Sequence, residues 1–176
     1  MMDAEDAEDA KDDPTVSVFL TVPDVARALA FYTEAFGAEE LSRVTLPDGS
    51  APHAEFRIGN TVIMISPPYP EWNAGPVPTG GSSSSLLRIL TPDSDASFQR
   101  AVRAGAAAVA VPKNQFWGAR CGIVQDPFGF RWSLATVTEN LSPGQLQGRI
   151  DDFMARGGKT DSFGEETGNP EGPVTK

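Results

Sequence analysis

Residues 22–40 read VPDVARALAFYTEAFGAEE, and residues 91–105 read TPDSDASFQRAVRAG. In the first stretch Val25, Leu29, Tyr32 and Phe36 recur every three to four residues, which predicts one apolar face of a helix. Pro23 and Asp24 suit its start and Gly37 its stop, because proline fits the first turn and glycine tolerates the left-handed C-terminal cap. The second stretch repeats the plan, with Pro92-Asp93 at the start, Phe98, Ala101 and Val102 within, and Gly105 at the end. The two Pro-Asp pairs lie 69 residues apart and the two stop glycines 68 apart.

The surroundings of the two helices also match. Apolar runs rich in β-branched residues, Val16–Val22 and Leu86–Leu90, precede them. One further strand and then a hairpin follow each. The first hairpin is His53–Ile58 and Thr61–Ser66 around Gly59-Asn60. The second is Arg120–Gln125 and Phe130–Ala135 around an Asp126–Gly129 turn. Gly59 and Gly129 are 70 residues apart. Self-similarity at this period predicts an α+β fold of two tandem βαβββ modules. Module one spans 16–66 and module two 86–136. The stretch between them, 67–85, holds five prolines and four consecutive serines and reads as a linker. A last segment, 142–154, reads as a C-terminal helix. Ser142 is its N-cap, Pro143 opens its first turn, and Leu146, Ile150 and Phe153 share a face.

The chain of 176 residues suits one domain, placed at 14–156. Residues 1–13 carry seven acids against Lys11, and residues 157–176 four acids against two lysines. Both ends are expected to be loose, the first an acidic disordered tail and the second a flexible one. Most of the net charge of −10 lies in them, so the folded part is nearly neutral. No basic stripe is present to neutralise phosphates, which argues against nucleic-acid binding. No apolar run approaches the roughly 18 residues that a membrane helix needs. No signal peptide is read at the acidic start, and one cysteine, Cys121, allows no internal disulfide. A cytoplasmic location is the expectation. The single histidine, His53, excludes a His-rich metal site within one chain.

The ordered set FYTEAFGAE (31–39), HAE (53–55), FWGAR (116–120) and DPFG (126–129) resembles the vicinal oxygen chelate superfamily. This is the glyoxalase, bleomycin-resistance and dioxygenase group, and the likeness is to its PhnB-like subgroup. The resemblance covers about residues 16–154. It implies an eight-stranded, U-shaped cup, commonly completed in a homodimer, and in the enzymes a divalent metal held by two residues from each module. The positions that the resemblance assigns to those ligands are Val18, Met64, Leu87 and Ser133. Such metals need imidazole nitrogen or carboxylate oxygen, which none of the four supplies. No metal and no cofactor is therefore expected.

The resemblance places Met64 in the cup, and ladder geometry extends the lining from there. A two-residue turn at Gly59-Asn60 pairs Ile58 with Thr61 and Glu55 with Met64, so His53, Glu55 and Arg57 are expected on the same face. A four-residue turn in the second hairpin pairs Gly122 with Ser133. That directs Arg120 and Gly122 into the cup and Cys121 away from it. The expected lining comprises Val18, Leu20, Val62, Met64, Leu87 and Ser133, with Phe116, Trp117 and Arg120 near the rim and Tyr69 and Trp72 in a lid. Trp132 is read as core, and Cys121 as a small core residue rather than a nucleophile.

Two kinds of function remain open. One is metal-independent binding of an apolar or aromatic small molecule, for sequestration, resistance or carriage. The other is an enzyme of the superfamily's lyase or isomerase type, with His53 and Glu55 as acid–base groups. His53 and Glu55 equally suit an ordinary cross-strand polar pair.

Overall fold

The computed structural model describes residues 16–157 except Asn73. The acidic segment 1–13 and the stretch from 158 onward lie outside the described residues. The elements follow the repeat. They are β1 (Val18–Thr21), α1 (Val25–Phe36), β2 (Glu39–Val44), β3 (His53–Ile58) and β4 (Thr61–Ser66), then β5 (Leu86–Leu90), α2 (Ser94–Arg103), β6 (Ala107–Gln115), β7 (Ala119–Gln125) and β8 (Arg131–Val137). A C-terminal helix, α3 (Pro143–Ala155), closes the chain. The strands form two sheets of four, ordered β1-β4-β3-β2 and β5-β8-β7-β6. In each, the first strand runs parallel to the fourth and the other pairs are antiparallel. Two βαβββ modules are thus present, as the repeat predicts.

Helix ends are set by the residues the sequence singles out. The Asp24 carboxylate accepts from the Arg27 N–H at 3.0 Å, and Asp93 accepts from Ala96 N–H at 2.9 Å. Both satisfy first-turn donors that have no partner within the helix. Gly37 and Gly105 follow their helices at positive φ. Val25, Leu29, Tyr32 and Phe36 of α1 are all buried, with Ala28 and Ala35 between them. In α2, Phe98 and Ala101 are buried but Val102 is exposed. Ser142 and Gln145 form a reciprocal capping box at the start of α3. No residue of α3 is fully buried; its Phe153 ring stacks on Phe116 at 5.0 Å.

The described residues divide into two compact units. The first comprises 16–30 and 38–76; the second comprises 31–37, the later half of α1, and 77–157. In the first unit one face of the sheet, carrying Leu20, Ala54, Phe56, Ile63 and Ile65, is buried. The second unit centres on Trp132, whose ring lies 4.8 Å from Phe36 and 5.5 Å from Tyr32. There α2 packs on β6, β7 and β8.

Candidate functional site

Strand register decides which side chains share a face, because opposed residues on neighbouring strands point the same way. In the first sheet Glu55 pairs with Met64, and Met64 with Phe19. His53, Glu55, Arg57, Val62 and Met64 therefore share the face opposite the buried one, as the two-residue turn predicts. Val18 and Leu20 do not. They pair with Ile63 and Ile65 and point to the buried face. The β1 residue beside Met64 is Phe19, and it is half-exposed.

The second sheet needs a larger correction. Gln125 pairs with Arg131, so the turn holds five residues, 126–130, rather than four. Ser133 then pairs with Ile123, and Gly122 with Leu134. Every β7 side chain moves to the face opposite the one expected. Gly122 abuts Phe98 of α2, and Arg120 reaches Asp95 of α2 through two hydrogen bonds of 2.6 and 2.7 Å. Arg120 is thus an ion-pair partner on the helix side, not a rim residue of the cup. Leu87 pairs with Trp132 and also points toward α2. Cys121, expected to point away, shares the face of Ser133.

The cause of the extra turn residue is Asp126. One carboxylate oxygen accepts from the Phe128 and Phe130 N–H groups at 2.9 Å each. The other accepts from Tyr32 Oη–H and Trp132 Nε1–H, also at 2.9 Å. Gly129 adopts φ +91°, which completes the loop. Burial pushes the Asp126 carboxyl above the usual carboxylate range, against the downward pull of these four donors, Trp132 foremost. Sequence reading placed Asp126 in a short turn and assigned it no partner. The signal was its place between an aromatic helix and a tryptophan two residues past Phe130.

The remaining candidates are placed as follows. His53 Nε2 lies 3.3 Å from Glu55 Oε1, both side chains are about a third exposed (33 and 35 %), and the Phe19 ring centroid is 6.1 Å from His53. Arg57 donates to Glu39 at 2.7 Å. Tyr69 donates to the Pro52 carbonyl at 2.9 Å and packs on Trp72, which is otherwise exposed. Tyr69 also borders an open cleft of about 430 Å³ in the first unit, together with Pro23, Val25, Arg43 and Leu46. Neither His53 nor Glu55 lines that cleft. Phe116 is held between Trp117 and Phe153, and its carbonyl accepts from Arg149 at 3.2 Å. Ser133 is buried on the face turned away from α2, beside Arg88.

With the register corrected, the strand positions level with Met64 and Ser133 carry Phe19 and Arg88. Phenyl, thioether, guanidinium and hydroxyl groups do not make a site for a hard or borderline divalent ion. Among the described residues, no group of three His, Cys, Asp or Glu side chains is arranged to hold one.

The model of the Glyoxalase/Bleomycin resistance protein/Dioxygenase superfamily matches residues 15–134. The chain belongs to that superfamily. An uncharacterized protein of Mycobacterium bovis is 40 % identical over 139 residues, covering 77 % of this chain and 91 % of that protein. An uncharacterized Mycobacterium tuberculosis protein is 40 % identical over the same length, with 81 % of it covered. The crystal structure of TioX from Micromonospora sp. ML1 superposes with a TM-score of 0.56 at 26 % identity, over 71 % of this chain and 99 % of that one. The fosfomycin resistance protein FosX from Mesorhizobium loti shares the fold, with a TM-score of 0.52 at 16 % identity over 70 % of this chain and 92 % of that one. The superfamily's description joins glyoxalases, bleomycin-resistance proteins and dioxygenases. Among the described residues no helix is long and apolar enough to cross a membrane.

Proposed function

We propose that the protein binds an apolar or aromatic small molecule without a metal, for sequestration, resistance or carriage. The observation that supports this is the pair Phe19 and Met64, level with each other on the first sheet. Phe19 is 48 % exposed on an edge strand, an apolar surface beside the His53 ring. An aromatic ligand stacked on such a ring gains about 0.5–1.5 kcal/mol beyond area burial. The test is a thermal-shift screen of small aromatic molecules with and without a chelator. Stabilisation that the chelator does not change, and that Phe19→Ala and Met64→Glu both weaken, is expected. Stabilisation that disappears with the chelator contradicts the reading.

A second reading, an enzyme of the lyase or isomerase type, draws on the His53–Glu55 contact. A carboxylate beside a partly exposed imidazole is a serviceable acid–base pair. On that reading His53→Gln abolishes turnover while leaving ligand affinity within about twofold. We also propose a homodimer in a cytoplasmic setting. β5 and β6 are edge strands that expose Leu86, Leu90, Val109 and Val111, and such edges need covering. Light scattering that finds a monomer of 18.7 kDa contradicts the dimer.

A further inference from the structure

The four strands of the second sheet contain no aspartate or glutamate. They contain four cations. Arg120 is paired with Asp95 on the α2 side. Arg88, Arg131 and Lys113 belong to the other face, because Arg88 pairs with Ser133, Arg131 with Gln125, and Lys113 with Cys121. Two of these three stand out. Neither the Arg88 nor the Arg131 side chain makes a hydrogen bond or ion pair with any described residue, whereas the Arg43, Arg57, Arg120 and Arg149 side chains all have carboxylate partners. Arg131 Nε is buried and has no acceptor. A guanidinium N–H shut away from water without an acceptor is rare, and marks a place where a partner belongs.

The two arginines are neighbours. Arg88 sits directly across from Ser133, and Arg131 is two residues before Ser133 on the same strand, a diagonal separation of about 7–8 Å between backbones. Two long side chains easily converge from that spacing. Burial pushes the Cys121 thiol on this face up, and the Arg88 charge and the Ser133 hydroxyl pull it down. The adjoining side chains on this face, Ile123, Cys121 and Ala135, are apolar and buried.

We propose that Arg88, Arg131 and the Ser133 hydroxyl form a carboxylate-binding site on the face of the second sheet turned away from α2. This rests on the small-molecule reading above and narrows it: the ligand is an apolar or aromatic acid rather than a neutral molecule. A planar guanidinium suits a planar carboxylate, since two parallel N–H groups meet two oxygens. The acid-free strands supply no internal competitor for a carboxylate.

The test uses the full-length ¹⁵N-labelled protein and two probes of nearly the same shape, 2-naphthoate and its neutral amide. Arginine Nε–H resonances are followed during titration and assigned from the Arg88→Gln and Arg131→Lys variants. Naphthoate is expected to shift the Arg131 and Arg88 signals and to bind at least about tenfold more tightly than the amide, with Arg88→Gln removing most of that preference. Arg88 is exposed, so its substitution leaves the fold intact even if Arg131 variants are unstable. Equal binding of acid and amide, with the arginine signals unmoved, overturns the carboxylate site and leaves the apolar-ligand reading standing. No binding of either probe at about 10 mM overturns both. Naphthoate shifts that inorganic phosphate or chloride reproduces at equal concentration mean unspecific anion attraction, and overturn the proposal. Arginine signals that change on dilution of the free protein mean that a second copy supplies the missing acceptor, which overturns it as well.

Discussion

The two hairpins of this chain are built on the same plan and were not equally legible. The β3–β4 turn is two residues, Gly59-Asn60, with nothing within 4 Å of where a Gly59 side chain would begin. Its geometry is local, and so the register follows from the glycine alone. The β7–β8 turn is five residues and is held from outside itself. Asp126 gathers donors from its own loop, from α1 and from β8. A space at Gly129 is closed by Val77 of the linker, 2.6 Å from where a Cβ would stand. A turn set by its own residues can be read from sequence. A turn set by distant partners cannot, and one residue of error there reverses an entire strand.

That contrast predicts a graded series of stability effects. Asp126→Asn has the largest. It puts an amide donor against Trp132 Nε1–H, which cannot accept, in a buried setting, and should cost about 2–4 kcal/mol, read as a denaturation midpoint. A loss below about 0.5 kcal/mol means the four-donor arrangement does not hold the turn. Gly129→Ala comes next at about 2–3 kcal/mol, because positive φ and the Val77 overlap add. Gly59→Ala meets only the backbone strain and should cost about 1 kcal/mol. If the two glycine variants are equally stable, the second turn is no more constrained than the first. Tyr32→Phe removes one of four donors and should cost about 1 kcal/mol, with Asp126 keeping the other three. Arg120→Ala has the smallest effect. Its partner Asp95 is nearly half exposed, so melting should barely change and ligand affinity should not change at all. A loss of affinity in Arg120→Ala would return that residue to the ligand site.

Much of the fold was legible for a physical reason. Helix caps at Asp24, Asp93 and Ser142, stop glycines at 37 and 105, and alternating strands are local signals, and each appears where the spacing predicts. Site residues were less legible because they depend on register. His53, Glu55, Arg57, Val62 and Met64 follow from the self-contained turn and share a face. Val18, Leu20, Leu87 and Arg120 were each placed one residue out of phase. Arg88 and Arg131 of the second sheet, whose side chains lack a partner among the described residues, carry no local signal that singles them out. Only the ladder reveals that they share a face and that no acid lies near them on the sheet.

The same two halves differ in charge. The first sheet gives its arginines carboxylate partners, through Arg57–Glu39 and Arg43–Glu40, and sets Glu55 beside His53. In the second, the Arg88 and Arg131 side chains have no carboxylate partner among the described residues. That asymmetry is what the proposed carboxylate site draws on. The most direct measurement is native mass spectrometry of the untagged protein, paired with elemental analysis of the same sample. The account predicts a bound organic molecule bearing a carboxylate, lost in the Arg88→Gln variant, and no stoichiometric divalent metal. A tightly held Ni, Zn, Fe or Mn at about one per chain, retained in Arg88→Gln, would contradict it.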